Sequence, residues 1–83
     1  ASAQAADELL GIEDVDASFV LFVTGDTVNI SARSFGKINV QLIMESLGGG
    51  GHRNMAACQL KVATFDEAKN ILLKAIIEYK NNN

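Results

Sequence analysis

The 83-residue chain has no proline, no tryptophan, one cysteine, one histidine and five aromatic residues, four Phe and one Tyr. Each shortage removes a class of protein. Cys58 has no partner for an internal disulfide and sits among apolar residues, which suits a reducing compartment and makes the cytosol the expected location. One histidine and one cysteine, His52 and Cys58, fall short of every zinc pattern, so no metal is expected on this chain. No apolar run approaches the roughly 20 residues of a membrane span, and the N-terminus has neither the basic start nor the apolar core of a signal peptide. With Phe19 and Phe22 read as core and only Phe35 left to reach a ligand, an extended base-stacking track for single strands is not expected. There is no internal repeat and no linker, and residues 1–83 are too few for a second domain. What remains is 48% hydrophobic and 20% charged, the composition of an ordinary globular domain. The chain opens without methionine, inside what reads as the body of a helix from Ala3 to Leu10, so a fragment of a larger protein is expected.

Net charge is −3, but it is segregated along the chain. The first 26 residues carry six acids (Asp7, Glu8, Glu13, Asp14, Asp16, Asp26) and no bases, and read as a solvated face. From Thr27 to Ala63 four bases (Arg33, Lys37, Arg53, Lys61) stand against Glu45 alone. An anionic ligand would find local support there despite the acidic total.

Ser18 to Val23 is a short apolar run rich in β-branched and aromatic residues, the pattern of a buried strand. Thr24-Gly25-Asp26-Thr27 then reads as a two-residue II′ hairpin turn, and the next strand alternates Val28, Ile30 and Ala32 with Asn29, Ser31 and Arg33. After a loop at Phe35-Gly36-Lys37, the spacing of Val40, Ile43, Met44 and Leu47 is helical, with Asn39 as N-cap and Gly48 as the C′ stop. Cys58, Leu60 and Val62 alternate with Ala57, Gln59 and Lys61 as a third strand. Thr64 and Glu67 form a capping box, and Ala68, Ile71, Leu72, Ala75, Ile76 and Tyr79 make one apolar stripe of a closing helix whose end, Asn81 to Asn83, should fray. The expected fold is α+β, a small antiparallel-leaning mixed sheet covered by helices in the order α-β-β-α-(Gly loop)-β-α.

Gly48-Gly49-Gly50-Gly51-His52 lies between two strongly patterned segments. A run of four glycines weakens a small domain, so a return is expected: positive φ and open backbone N–H groups that let an anion approach. A bland reading, a helix stop with a loose loop, needs one glycine only. A triphosphate-binding loop is excluded, because that motif runs from a strand into a helix and ends in Gly-Lys-Ser or Gly-Lys-Thr, whereas here a helix runs into a strand. Any grip must come from the loop's own N–H groups and from side chains elsewhere.

Arg33 with Ser31 on its face, Ser34 beside it and Lys37 nearby combines a planar bidentate donor with hydroxyls, a set suited to phosphate oxygens. His52 lacks an evident partner for base catalysis and is left as a hydrogen-bond donor beside the glycines. Cys58 turns inward and has no activating base, so it is read as core, as are Met44, Met55 and Tyr79 as packing.

The sequence Ser31-Ala32-Arg33-Ser34, the short helix with Asn39-Val40, and Gly48-Gly49-Gly50-Gly51-His52 followed by Ala56-Ala57 resembles the C-terminal associated domain of the DHH phosphoesterase superfamily. The resemblance covers nearly the whole chain. From Ile30 to Leu60 it is most similar to the membrane-anchored cyclic-di-AMP phosphodiesterases of the GdpP type, with Arg53-Asn54-Met55 between the histidine and the alanine pair and Cys58 where other members carry glycine. It implies a substrate-binding half-site, Ser31, Arg33, Ser34, Gly48, Gly49, Gly50, Gly51 and His52, holding a cyclic dinucleotide. It also implies a preceding DHH domain whose aspartates and histidines hold manganese and activate water. On that reading this chain carries no catalytic residue and no cofactor, is inactive alone, and touches no membrane itself although the parent is anchored; a homodimer is compatible with it. Short oligonucleotides or pAp-like nucleotides are the alternative substrates, and a non-catalytic nucleotide-binding interaction module is the alternative of another class.

Overall fold

In a computed structural model the chain is described for residues 9–13, 16–62 and 64–82. Among the described residues, five strands and two helices follow one another as β1 (Leu9–Glu13), β2 (Ala17–Thr24), β3 (Thr27–Ser34), α1 (Val40–Ser46), β4 (Gly50–Gly51), β5 (Met55–Leu60) and α2 (Phe65–Asn82). The sheet order is β1-β2-β3-β5-β4 and every pairing among the described residues is antiparallel, so the fold is α+β with an antiparallel rather than a mixed sheet there.

Alternation along the strands gives the sheet one dry face. Phe19, Leu21, Ile30, Ala32 and Cys58 lie on it and share one core with Ile43 and Met44 of α1 and Ala68, Leu72, Ala75 and Ile76 of α2. α1 packs against β3, β4, β5 and α2. Both helices therefore cover the same side, and no described element covers the other face.

Local signals in the chain account for several element ends. Gly25 has φ of 63°, as the first central residue of a primed hairpin turn requires. The Asn39 side chain accepts from the N–H groups of Gln41 and Leu42, and Thr64 Oγ1 accepts from Glu67 N at 3.1 Å.

Four expectations change. Leu9 and Leu10 begin a strand rather than end a helix, and the rest of the expected helix, Ala3 to Glu8, lies outside the described residues. The glycine run is not all loop, since Gly50 and Gly51 pair with Ala57 and Ala56 as an edge strand. The third strand expected from the sequence ends at Leu60, two residues short of Val62. α2 continues as regular helix through Asn82, so the expected fraying is not seen there; Asn83 lies outside the described residues.

Candidate functional site

Strand register sorts the solvent face into rows. The first row is Phe22, Asn29 and Gln59; the second is Val20, Ser31, Ala57 and Gly50; the third is Ser18, Arg33 and Met55. His52 extends the third row, because its N–H donates to Met55 O at 2.7 Å and its carbonyl accepts from Met55 N at 3.2 Å. At about 4.8 Å per strand, the Cα atoms of Arg33 and His52 stand roughly 10 Å apart across Met55, and the rows follow at about 7 Å. Both side chains can therefore reach one anion above Met55. From β3 to β4 the middle row is made of small groups, Ser31, Ala57 and Gly50, which keeps the floor open on that side of Val20.

Ser31, Arg33, Gly50 and His52 are thus brought to one face. Ser34 is not. It is 8% exposed on the core side of β3, where its hydroxyl lies 3.5 Å from Asp16 O and 3.4 Å from Gly36 O and accepts from Gly36 N at 3.3 Å. One residue beyond Arg33 is the wrong parity for a shared strand face, so Ser34 shapes the loop instead of the site.

The glycines divide by role. Gly48, with φ of 89°, donates to Glu45 O at 3.0 Å, and Gly49 donates to Met44 O at 2.8 Å, the two bonds of a Schellman cap on α1. Their N–H groups are taken, which corrects the expectation of a cradle built from the whole run. A Cβ on Gly49 would collide with Ala57 O and with the Cβ and Cα of Cys58, so this glycine is required by close approach to β5. Gly51 is required too: its φ is 148° and a Cβ would lie 2.5 Å from Ala56 Cα. In an antiparallel ladder, hydrogen-bonded and non-hydrogen-bonded pairs alternate. His52 and Met55 exchange bonds, so Gly51 and Ala56 form the next, non-bonded pair and the Gly51 N–H points off the open edge of β4. Within the run of four, only Gly50 has free space around a notional Cβ and no left-handed φ.

The start of α1 offers no anion site. Asn39 N donates to Tyr79 Oη at 2.9 Å, Val40 N to Arg53 O at 3.1 Å, and Gln41 N and Leu42 N to Asn39 Oδ1. Arg53-Asn54, the turn between His52 and Met55, also supplies Asn54 O to Ser34 N at 2.8 Å. The turn therefore pins the end of β4 to both β3 and α1.

A cavity of about 550 Å³ opens on this face, lined by Phe22, Asn29, Ser31, Gly48, Gly49, Ala57 and Gln59, with Ile30 and Cys58 behind them. Burial pushes the Cys58 thiol up to about 11, so it stays protonated near neutrality and is no nucleophile. A second cavity of about 590 Å³, near the β2–β3 turn and the start of α2, has Asp26 and Asp66 in its lining and suits no anion. Among the described residues no group of three or more His, Cys, Asp or Glu could hold a metal ion.

Four residues of this face lie outside the set expected from the sequence. Phe22 is half-buried on the solvent side, opposite in parity to the fully buried Phe19, so it is not core; Met55, 52% exposed, is likewise surface and not packing. Asn29 and Gln59 carried a usable signal, since each alternates onto the same face as Ser31.

The family model described as DHHA1 domain matches residues 1–82. The chain is 56% identical over 79 residues to cyclic-di-AMP phosphodiesterase PdeA of Listeria monocytogenes, covering 94% of the chain and 12% of that protein. It is 56% identical over 78 residues to cyclic-di-AMP phosphodiesterase GdpP of Geobacillus thermodenitrificans and 53% identical over 78 residues to GdpP of Bacillus subtilis, covering 93% of the chain and 12% of each protein. The chain thus spans about one eighth of the length of these relatives.

Proposed function

The chain belongs to the DHHA1 domain family, and we propose that it is the substrate-binding domain of a cyclic-di-AMP phosphodiesterase. The observation that carries the proposal is the third row of the solvent face, where Arg33 and His52 flank Met55 with small residues alongside. A phosphodiester over that row would meet the guanidinium fork on one side and the imidazole on the other, with the Ser31 hydroxyl one row away and the Gly51 N–H at the sheet edge.

What these residues do is bind and orient. Holding the diester by its charged oxygens fixes the direction of the phosphorus and offsets its charge, two contributions that lower a hydrolytic barrier without supplying a nucleophile. The described residues contain no donor set for the manganese of the proposed parent. The reading places metal and attacking water on a DHH domain of the same longer protein, along with any membrane anchor; no described helix of this chain is long and apolar enough to cross a membrane.

The test uses the full-length protein with cyclic-di-AMP. Arg33→Ala and His52→Ala are each expected to lower kcat/KM by tenfold or more, about 1.4 kcal/mol of transition-state binding. Values within twofold of wild type for both would remove these residues from the site. Competition by short RNA or pAp stronger than by the cyclic dinucleotide would favour the oligonucleotide reading instead.

A further inference from the structure

The row beside Ser31 holds an ordered chain of polar side chains whose purpose the phosphate grip does not explain. Asn29 Nδ2 donates to Thr24 Oγ1 at 2.7 Å, and Gln59 Nε2 donates to Asn29 Oδ1 at 3.0 Å. Gln59 is exposed and Asn29 half-exposed, and an exposed neutral hydrogen bond adds little net stability once the ordering of two long side chains is counted. Its effect is positional. Thr24 and Asn29 hold the chain in place, and with the Asn29 oxygen toward Gln59 the Gln59 amide stands with its nitrogen toward Asn29 and its oxygen away.

We propose that Gln59, aimed by Asn29 and Thr24, is the base-reading side chain of this site and pairs with the amino and ring-nitrogen edge of an adenine lying against Phe22. This rests on the nucleotide-binding reading given above and assigns it a specificity element. The relay uses one of the two Nε2 hydrogens. Left free are both lone pairs of Gln59 Oε1 and one N–H, an acceptor beside a donor, which complements adenine's amino donor beside a ring acceptor. Phe22 stands in register with Asn29 and lines the same cavity, where a half-buried ring gives the base a stacking surface. Gly48 and Gly49 wall the cavity without side chains, so a planar ring meets no obstruction there. Ser31, Ala57 and Gly50 lie between this row and the Arg33 row, leaving about 7 Å of low ground on each side of Ser31 for the sugar. Phosphate at one row and base at the other gives the ligand a single direction.

The experiment compares cyclic-di-AMP with cyclic-di-GMP as substrates of the full-length protein, wild type and variants. Gln59→Ala is expected to lower kcat/KM for cyclic-di-AMP about tenfold through KM while changing cyclic-di-GMP little. Gln59→Glu turns the acceptor–donor pair into two acceptors, which repel adenine's ring nitrogen and suit the two adjacent N–H donors of guanine, so the preference should narrow further or invert. Asn29 acts by positioning. Asn29→Ala should weaken the adenine preference about threefold with kcat unchanged, and Asn29→Asp, which keeps the acceptor for Gln59, should restore it. Arg33→Ala should depress both substrates alike. Base preference within twofold of wild type in Gln59→Ala and Gln59→Glu, in a protein that still hydrolyses cyclic-di-AMP, would overturn the inference while leaving the proposed function standing. A wild-type protein that hydrolyses neither dinucleotide overturns the proposed function, and this inference with it.

Discussion

Gly49 and Gly50 are neighbours with opposite requirements, and the difference is set by which way a Cβ would point. At Gly49 it would enter β5, against Ala57 O and 2.7 Å from Cys58 Cα, and neither backbone can yield without opening the sheet edge. Gly49→Ala is expected to cost about 3 kcal/mol, read as a lowered urea midpoint with an unchanged slope. At Gly50 a Cβ meets nothing within 4 Å and projects on the same face as Ala57 and Ser31. Gly50→Ala should fold normally, with stability within about 0.5 kcal/mol of wild type or slightly above it. In the full-length protein it should still raise KM for cyclic-di-AMP severalfold, because the methyl stands where the ligand approaches. Normal folding with an unchanged KM would place the ligand away from Gly50. The pair separates the two reasons for glycine, close packing against β5 and close approach by a ligand.

Short elements here depend on their ends. α1 has only seven residues, too few to be stable through propensity, so its caps and its packing against the sheet decide whether it forms. Asn39 satisfies two of the first N–H groups, and Asn39→Ala should lower stability by about 1 kcal/mol, measured by thermal or urea unfolding. The same logic explains what could be read in advance. Asn39, Gly48 and the Thr64–Glu67 capping box carry side-chain or φ signatures that act locally, and β2, β3 and β5 carry apolar patterning, continuous in β2 and alternating in β3 and β5. β4 carries neither. Two glycines have no side chains to alternate, and their pairing with β5 follows from the His52–Met55 turn, whose carbonyls are anchored by β3 and α1 at long range. The site was legible to the same degree. Residue type and alternation point to Arg33 and Ser31 as candidates on one face, whereas strand parity turns Ser34 to the other, and the continuous apolar run around Phe22 hides which of its faces is dry.

At the scale of the whole molecule, the sign of the net charge and the sign of the site disagree. The chain carries −3 overall, yet its proposed ligand is an anion, and only one acid, Glu45, falls in the segment that builds the site. Two faces of one sheet resolve this. The helices occupy one side, and the other presents Arg33, with His52 in its row and Arg53 in the turn that follows, at the edge. The attraction there is local and exposed, so it lies within reach of screening: the Debye length falls from about 10 Å at 0.1 M salt to about 3 Å at 1 M. KM for cyclic-di-AMP in the full-length protein should therefore rise at least severalfold over that range, with kcat much less affected. Arg33→Ala, which already lacks the main exposed cation of the row, should show a shallower rise, and Arg33→Lys should keep the salt dependence while losing part of the affinity, because it retains charge but not the bidentate fork. A salt dependence identical in wild type and Arg33→Ala would mean that the attraction comes from elsewhere in the longer protein, and that this face contributes shape rather than charge.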